Sequence, residues 1–187
     1  MEEVFYKLST GYASQCYWAQ EVDLSEVPTD MFAYGMRGFG GIVRMKITKG
    51  AKPCDFLGNS ATLHIPSQRV MTLLAEHGLT VYDTYDVEVT GGTVDMPHYC
   101  GLAAVGGGGH ILMKESGVEY GRRRPDGTRA IMGMKRVVFD ENQWDESDFF
   151  YLDESPGGII VTQRVADLFK KHRVRNCVLT PLEEVSF

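Results

Sequence analysis

No apolar run in this chain of 187 residues approaches the length of a bilayer crossing. Nothing at its start resembles an export signal. Met1-Glu2-Glu3-Val4-Phe5-Tyr6 is acidic where a signal peptide is basic and then apolar. Together these absences lead us to expect a cytoplasmic protein with no membrane partner. Cysteine is sparse, and Cys16, Cys54, Cys100 and Cys177 include no Cys-x-x-Cys pair. That spacing argues for reduced thiols and against a disulfide framework or a zinc knuckle. His98, Cys100 and His110 match no common zinc arrangement, so no metal is expected. A Gly-x-Ser-x-Gly nucleophile motif is missing too. The run Gly106-Gly107-Gly108-Gly109 lacks the Gly-Lys-Ser/Thr ending of a phosphate-binding loop, and no helical pattern follows it. It reads as a loop or strand bulge. These gaps imply no catalytic residues and no cofactor: the chain reads as a non-enzyme.

Cations are missing from one long stretch. Between Val137 and Gln163 there is no Lys, Arg or His, while Asp140, Glu141, Asp145, Glu146, Asp148, Asp153 and Glu154 all fall there. Those seven charges exceed the net charge of −6, so the rest of the chain is nearly neutral. Phe139, Trp144, Phe149, Phe150 and Tyr151 interleave with the acids. The plainer reading is a solvated loop with aromatics tucked inward. The sharper one is a binding surface on which aromatics anchor and acids steer a basic partner. Just upstream, Arg122, Arg123, Arg124, Arg129, Lys135 and Arg136 form a basic region with Tyr120 as almost its only aromatic. Stacking platforms for nucleic acid are therefore lacking, and mutual charge satisfaction within the fold is expected instead.

A repeat is present. Ser67-Gln68-Arg69-Val70-Met71-Thr72-Leu73-Leu74-Ala75-Glu76-His77 returns 95 positions later as Thr162-Gln163-Arg164-Val165-Ala166-Asp167-Leu168-Phe169-Lys170-Lys171-His172. Apolar residues at i, i+3 and i+4 (Val70, Leu73, Leu74; Val165, Leu168, Phe169) define one stripe of an amphipathic helix in each copy. Ser67 and Thr162 are N-cap types, and Gly78 is a stop signal. Apolar runs precede both helices and β-type runs follow, which gives pseudo-repeats over 61–89 and 158–185. The expected fold is a single α+β domain over 1–187, with duplicated strand–helix–strand units packed on mainly antiparallel sheets. Arg69 and Arg164 sit in the first helical turn, where a cation opposes the dipole and needs a partner. Glu88 and Glu183 recur in the same register and are the expected partners. His77 and His172 read as satisfied helix-end residues.

The C-terminal third resembles a known family. The residues are Trp144-Asp145-Glu146-Ser147-Asp148-Phe149-Phe150, then Gly158-Ile159-Ile160-Val161-Thr162-Gln163-Arg164-Val165, then Asn176-Cys177-Val178-Leu179-Thr180-Pro181-Leu182-Glu183-Glu184. They are similar to the ending of bacterial polymorphic-toxin immunity proteins of immunity family eleven and its relatives with a doubled Cys-x-x-Cys-Gly motif. About 45 residues carry the likeness. The doubled motif is missing, since Cys100-Gly101 has no cysteine three positions before it. The resemblance implies a cytoplasmic inhibitor that binds a toxin domain and occludes its active or substrate-binding site. The resemblance says little about which toxin; the acidic, aromatic stretch 139–154, able to mimic a polyanion in a basic groove, favours a nuclease, with an ADP-ribosyltransferase the second. Trp144, Asp145, Glu146, Asp148, Phe149, Phe150, Asp153 and Glu154 are the candidate contacts. The competing function is a small nucleotide-binding enzyme using the 106–109 loop.

Overall fold

The computed structural model describes residues 3–23, 36–61, 63–79, 81–93, 95–123, 127, 129–153 and 158–186. Glu154, Arg124 and the segment 24–35 lie outside them. Along the chain run β1 (Phe5–Thr10), β2 (Trp18–Asp23), β3 (Ile42–Lys49), β4 (Gly58–Asn59), α1 (Gln68–Glu76), β5 (Tyr82–Thr90), β6 (Cys100–Ala104) and β7 (Gly106–Gly107). Then follow β8 (Glu119–Arg123), β9 (Arg129–Gly133), β10 (Phe149–Tyr151), β11 (Ile159–Thr162), α2 (Gln163–Lys171) and β12 (Cys177–Pro181). One sheet has the order β12-β1-β11-β10-β7, the second β4-β2-β3-β5-β6, and β8 and β9 form a separate hairpin. Most pairings are antiparallel; β2–β4, β3–β5 and β7–β10 are parallel. The fold is α+β, as expected.

Both helices form, and their stripes are buried: Val70, Leu73 and Leu74 in α1, Val165, Leu168 and Phe169 in α2. Among the described residues a strand leads directly into α2 but none into α1. Where Val161 ladders in β11, the first copy has Pro66, which has no N–H to donate and holds one isolated bridge to Phe56. No strand forms over 110–114. His110 to Lys114 keeps a single bridge, Ile111 to Phe139, and then turns.

The repeat reaches much further than the helices. A central core holds Leu8, Phe56, Val70, Leu73 and Leu74 together with Leu102, Phe149, Val165, Leu168 and Phe169, all residues about 94 positions from a counterpart in the same core. Two flanking cores mirror one another in the same way. Tyr17, Val43, Met45, Leu57, Ile65, Val87 and Tyr99 fill one; Ile111, Val137, Phe139, Phe150, Ile160, Leu182 and Phe5 fill the other. The two halves of the chain also exchange a strand. β1 pairs with β11 and β12 of the second half. β6 pairs with β5 of the first, and Leu102 N–H donates to the His64 carbonyl. This reciprocal exchange puts helices from both halves on one core.

His64 ties that exchange together. Its Nε2 lies 2.9 Å from the Leu8 carbonyl, inside the fold. Burial holds the imidazole below its ordinary pKa; the Leu8 hydrogen bond opposes this, and the Lys7 ammonium reinforces it. The unfolded chain protonates this ring near pH ~6.5 while the folded chain resists, so acidification favours unfolding and stability falls as pH drops below that value. The melting temperature is expected to fall between about pH 7 and pH 5, with a shallower slope in His64→Gln. An unchanged slope in the variant would remove His64 from the account.

The thiol expectation is corrected. Cys16 and Cys54 form a disulfide, with Cα atoms 5.5 Å apart. Backbone bonds from Tyr17 N–H to the Lys52 carbonyl and from Ala51 N–H to the Gln15 carbonyl hold the two segments side by side. Sequence spacing says nothing of this contact, because it is made by fold closure. Cys100 and Cys177 remain free and half-buried. Burial pushes the Cys177 thiol up to about 12 and raises that of Cys100.

Candidate functional site

Two Asp–Arg brackets frame the helix pair. Arg69 donates from Nη1 to Asp55 Oδ1 at 2.8 Å and from Nη2 to the His172 carbonyl at 2.9 Å. Arg164 donates from Nη1 to Asp148 Oδ2 at 2.9 Å and from Nη2 to the His77 carbonyl at 2.7 Å. Each arginine thus opposes its own helix dipole but reaches the last carbonyl, the negative end, of the other helix. The expected partners Glu88 and Glu183 are wrong. Glu88 bonds Arg44 at 3.1 Å, and Glu183 is exposed. Both glutamates belong to the chain that leaves the helix C-terminus. Asp55 and Asp148 lie at the N-terminus, where their carbonyls accept from Ser67 N–H and Thr162 N–H.

His77 and His172 meet edge to face at 5.5 Å between the brackets. His77 Nδ1 lies 3.0 Å from the Leu73 carbonyl, while His172 Nε2 is buried without a hydrogen-bond partner. Two grooves flank the pair, of about 410 and 210 Å³, and equivalent residues of the two halves line them. The arginines that line them are already held by Asp55 and Asp148, so the arrangement fastens the two helices together.

The interface candidates separate into two groups. Phe149 and Phe150 are fully buried and Asp148 is spent on Arg164 and Thr162 Oγ1, so these three face inward. Trp144 is half-buried: its Nε1 donates to the Ser147 carbonyl at 3.0 Å, and its ring packs on Phe5 at 5.0 Å and Phe150 at 5.8 Å. It fastens the acidic turn from below. Asp145, Glu146 and Asp153 are exposed, and the adjoining Glu141 joins them.

The glycine run is the rib on which this acidic face is mounted. Gly107 N–H donates to Asp145 Oδ2 at 2.8 Å, and Asp145 N–H returns a bond to the Gly107 carbonyl. Gly108 N–H donates to the Tyr151 carbonyl, and Asp153 N–H to that of Gly109. His110 N–H reaches Gln143 Oε1, and Asp153 lies 3.2 Å from His110 Nδ1. A Cβ at Gly106 would overlap the Ser147 hydroxyl, and one at Gly108 the Phe150 ring. Gly106 and Gly108 are there for close approach to β10 and its flanks, a requirement that composition alone does not reveal.

Hydrogen bonds favour the charged form of two carboxylates at this face. Donation from the Asn142 side chain and backbone, with help from Gln143, holds the Asp140 carboxyl below the usual carboxylate range. Burial opposes ionisation of Asp145, but bonds from Ser147 and the Gly107 backbone prevail and lower its pKa as well. Immediately after Asp145, Glu146 takes a left-handed backbone, φ 62°, which is uncommon for a non-glycine residue.

The basic region does not neutralise this face, contrary to expectation. Among the described residues, Arg122, Arg123, Arg129, Lys135 and Arg136 make no ion pair with a carboxylate; Arg123 and Arg136 donate to the carbonyls of Gly127 and Glu115. Most of these cations ride on the β8–β9 hairpin, where Arg123 faces Arg129. Among the described residues no group of His, Cys, Asp and Glu is placed to hold a metal, and no helix is long and apolar enough to cross a membrane. No protein-family model matches the chain, and no curated protein sequence matches it.

Proposed function

We propose that the protein is an immunity-type inhibitor that binds a toxin domain and covers its active or substrate-binding site. The observation that carries this reading is the acidic face: Glu141, Asp145, Glu146 and Asp153 around a rigid glycine rib, with Asp145 and Asp153 held by backbone bonds. The Asp145 carboxylate, already ordered by the Gly107 N–H, loses little freedom on binding, and a dense negative surface matches the basic groove in which a nuclease holds its polyanion. A nuclease is therefore the favoured toxin, and an ADP-ribosyltransferase the second. The nucleotide-enzyme reading is weaker here. The amides of Gly107 and Gly108 are occupied, and carboxylates crowd the loop where a phosphate would sit.

The proposed compartment is the cytoplasm, where such a toxin acts. The Cys16–Cys54 bond opposes that placement, since disulfides persist mainly in oxidising compartments. The test is co-expression with the protein encoded immediately upstream. Protection of the cell and a co-purifying one-to-one complex are expected. No protection by a folded protein, together with a nucleotide-induced rise in melting temperature, would sink the proposal.

A further inference from the structure

The two halves of the chain differ in how the counterparts of β3 and β5 pair. In the first half β3 and β5 pair in parallel from Ile42↔Asp86 to Lys46↔Thr90. Within that ladder Arg44 lies opposite Glu88, and its Nε donates to the carboxylate at 3.1 Å. In the second half Val137 stands where Val43 stands and Leu182 where Val87 stands. The Val137 N–H donates to the Leu182 carbonyl at 2.9 Å, but no ladder continues from it. The counterpart of Glu88 is Glu183, while the counterpart of Arg44 is Val138. Glu183 is exposed and makes no ion pair among the described residues.

The missing ladder leaves a cleft of about 320 Å³ between 136–139 and 181–183. Phe5, Phe139 and Leu182 give it an apolar floor, and Glu3, Glu141 and Glu183 stand on its walls. Arg136 also lines it, but its Nε donates to the Glu115 carbonyl at 3.0 Å. We propose that the cleft receives one arginine side chain of the partner protein, seated on Glu183 as Arg44 is seated on Glu88. The choice of partner rests on the inhibitor reading above; the site itself rests on the comparison between the two halves. An arginine suits it physically. Its aliphatic stem covers apolar floor, and its planar fork donates two parallel bonds to a carboxylate. Glu141 belongs to both the cleft and the acidic turn, so an arginine here would extend the same contact surface.

The experiment uses the amide of tri-arginine as probe and backbone amide resonances as readout. Saturable shifts are expected at 137–139 and 182–184. Tri-lysine amide should bind more weakly, because an ammonium cannot make the forked contact, and neutral tri-citrulline should not bind. Glu183→Gln should weaken the probe by about tenfold, the scale of losing one charge-assisted contact. Val138→Arg supplies the missing cation from within the chain and should abolish probe binding while the melting temperature stays near that of the parent. Shifts centred on Asp145 and Glu146, or an affinity unchanged in both variants, would overturn the proposal. Probe binding without toxin protection would refute the inhibitor reading alone, and protection without probe binding would refute the arginine cleft alone.

Discussion

Phe149→Ala is expected to destabilise the protein by about 3–5 kcal/mol in equilibrium denaturation, among the larger effects that truncating a single side chain produces. The ring is wholly buried in the central core and meets Tyr82 edge to face at 5.5 Å. Tyr82 belongs to the first half of the chain and Phe149 to the second, so the truncation opens a void at the seam of the duplication. Its counterpart Phe56 packs on Phe169 at 6.0 Å across the same seam, and Phe56→Ala should cost a similar amount. Because the two rings share one core, the double variant should depart from additivity. A loss under about 1 kcal/mol for Phe149→Ala would mean that the seam does not carry the fold. The same experiment bears on interface assignment: a residue of the toxin contact would change protection and leave the denaturation midpoint in place.

The helices were legible because a stripe at i, i+3 and i+4 is local and survives in both copies without a gap. Burial of Val70, Leu73, Leu74, Val165, Leu168 and Phe169 follows from that pattern. The arginine partners were not legible by the same logic. Glu88 and Glu183 keep the repeat register, but they lie beyond the helix C-termini, far from an arginine in the first turn. The pairing signal was the Asp-Phe dipeptide, Asp55-Phe56 and Asp148-Phe149, which recurs just outside the window where the helix repeat stands out. It was masked by two extra residues between Asp148 and Arg164 relative to Asp55 and Arg69. Strand exchange was illegible for another reason. β1 and β6 share little more than Leu8 and Leu102, and which half a strand joins is decided by long-range packing rather than local pattern. The disulfide belongs with these: Cys16 and Cys54 are neighbours only after the sheet has formed. Of the acidic stretch, the aromatic and acidic alternation was visible, but not which members face out. Phe149 and Phe150 sit consecutively in β10 and are both buried, because the central core takes one and a flanking core the other.

Reversing Glu141 and Glu146 to Lys together should slow association with a basic toxin by about ten- to a hundredfold at low salt. Both are exposed, and neither makes a salt bridge among the described residues, so the change should leave folding intact. Asp148 is a poor choice for this test despite its place in the acidic run. Its carboxylate is mostly covered and accepts from Arg164 and Thr162, so reversal there strands a buried cation and should unfold the protein instead. Asp145 is intermediate: it is exposed, but its bonds to Gly107 and Ser147 shape the turn. Salt supplies the second arm. If steering dominates, the parent's association rate should fall steeply as ionic strength rises, and the double variant's should hardly change, so the two converge near the concentration at which charges more than about 8 Å apart are screened. Trp144→Ala separates anchoring from contact. The ring packs on Phe5 and Phe150 beneath the acidic turn, so its loss should lower the melting temperature and weaken protection together. Weakened binding with an unchanged melting curve would make Trp144 a direct contact. Stopped-flow association beside a melting curve for each variant decides among these outcomes. Association by the Glu141/Glu146 variant at the parent's rate, with normal folding, would move the toxin contact off this face.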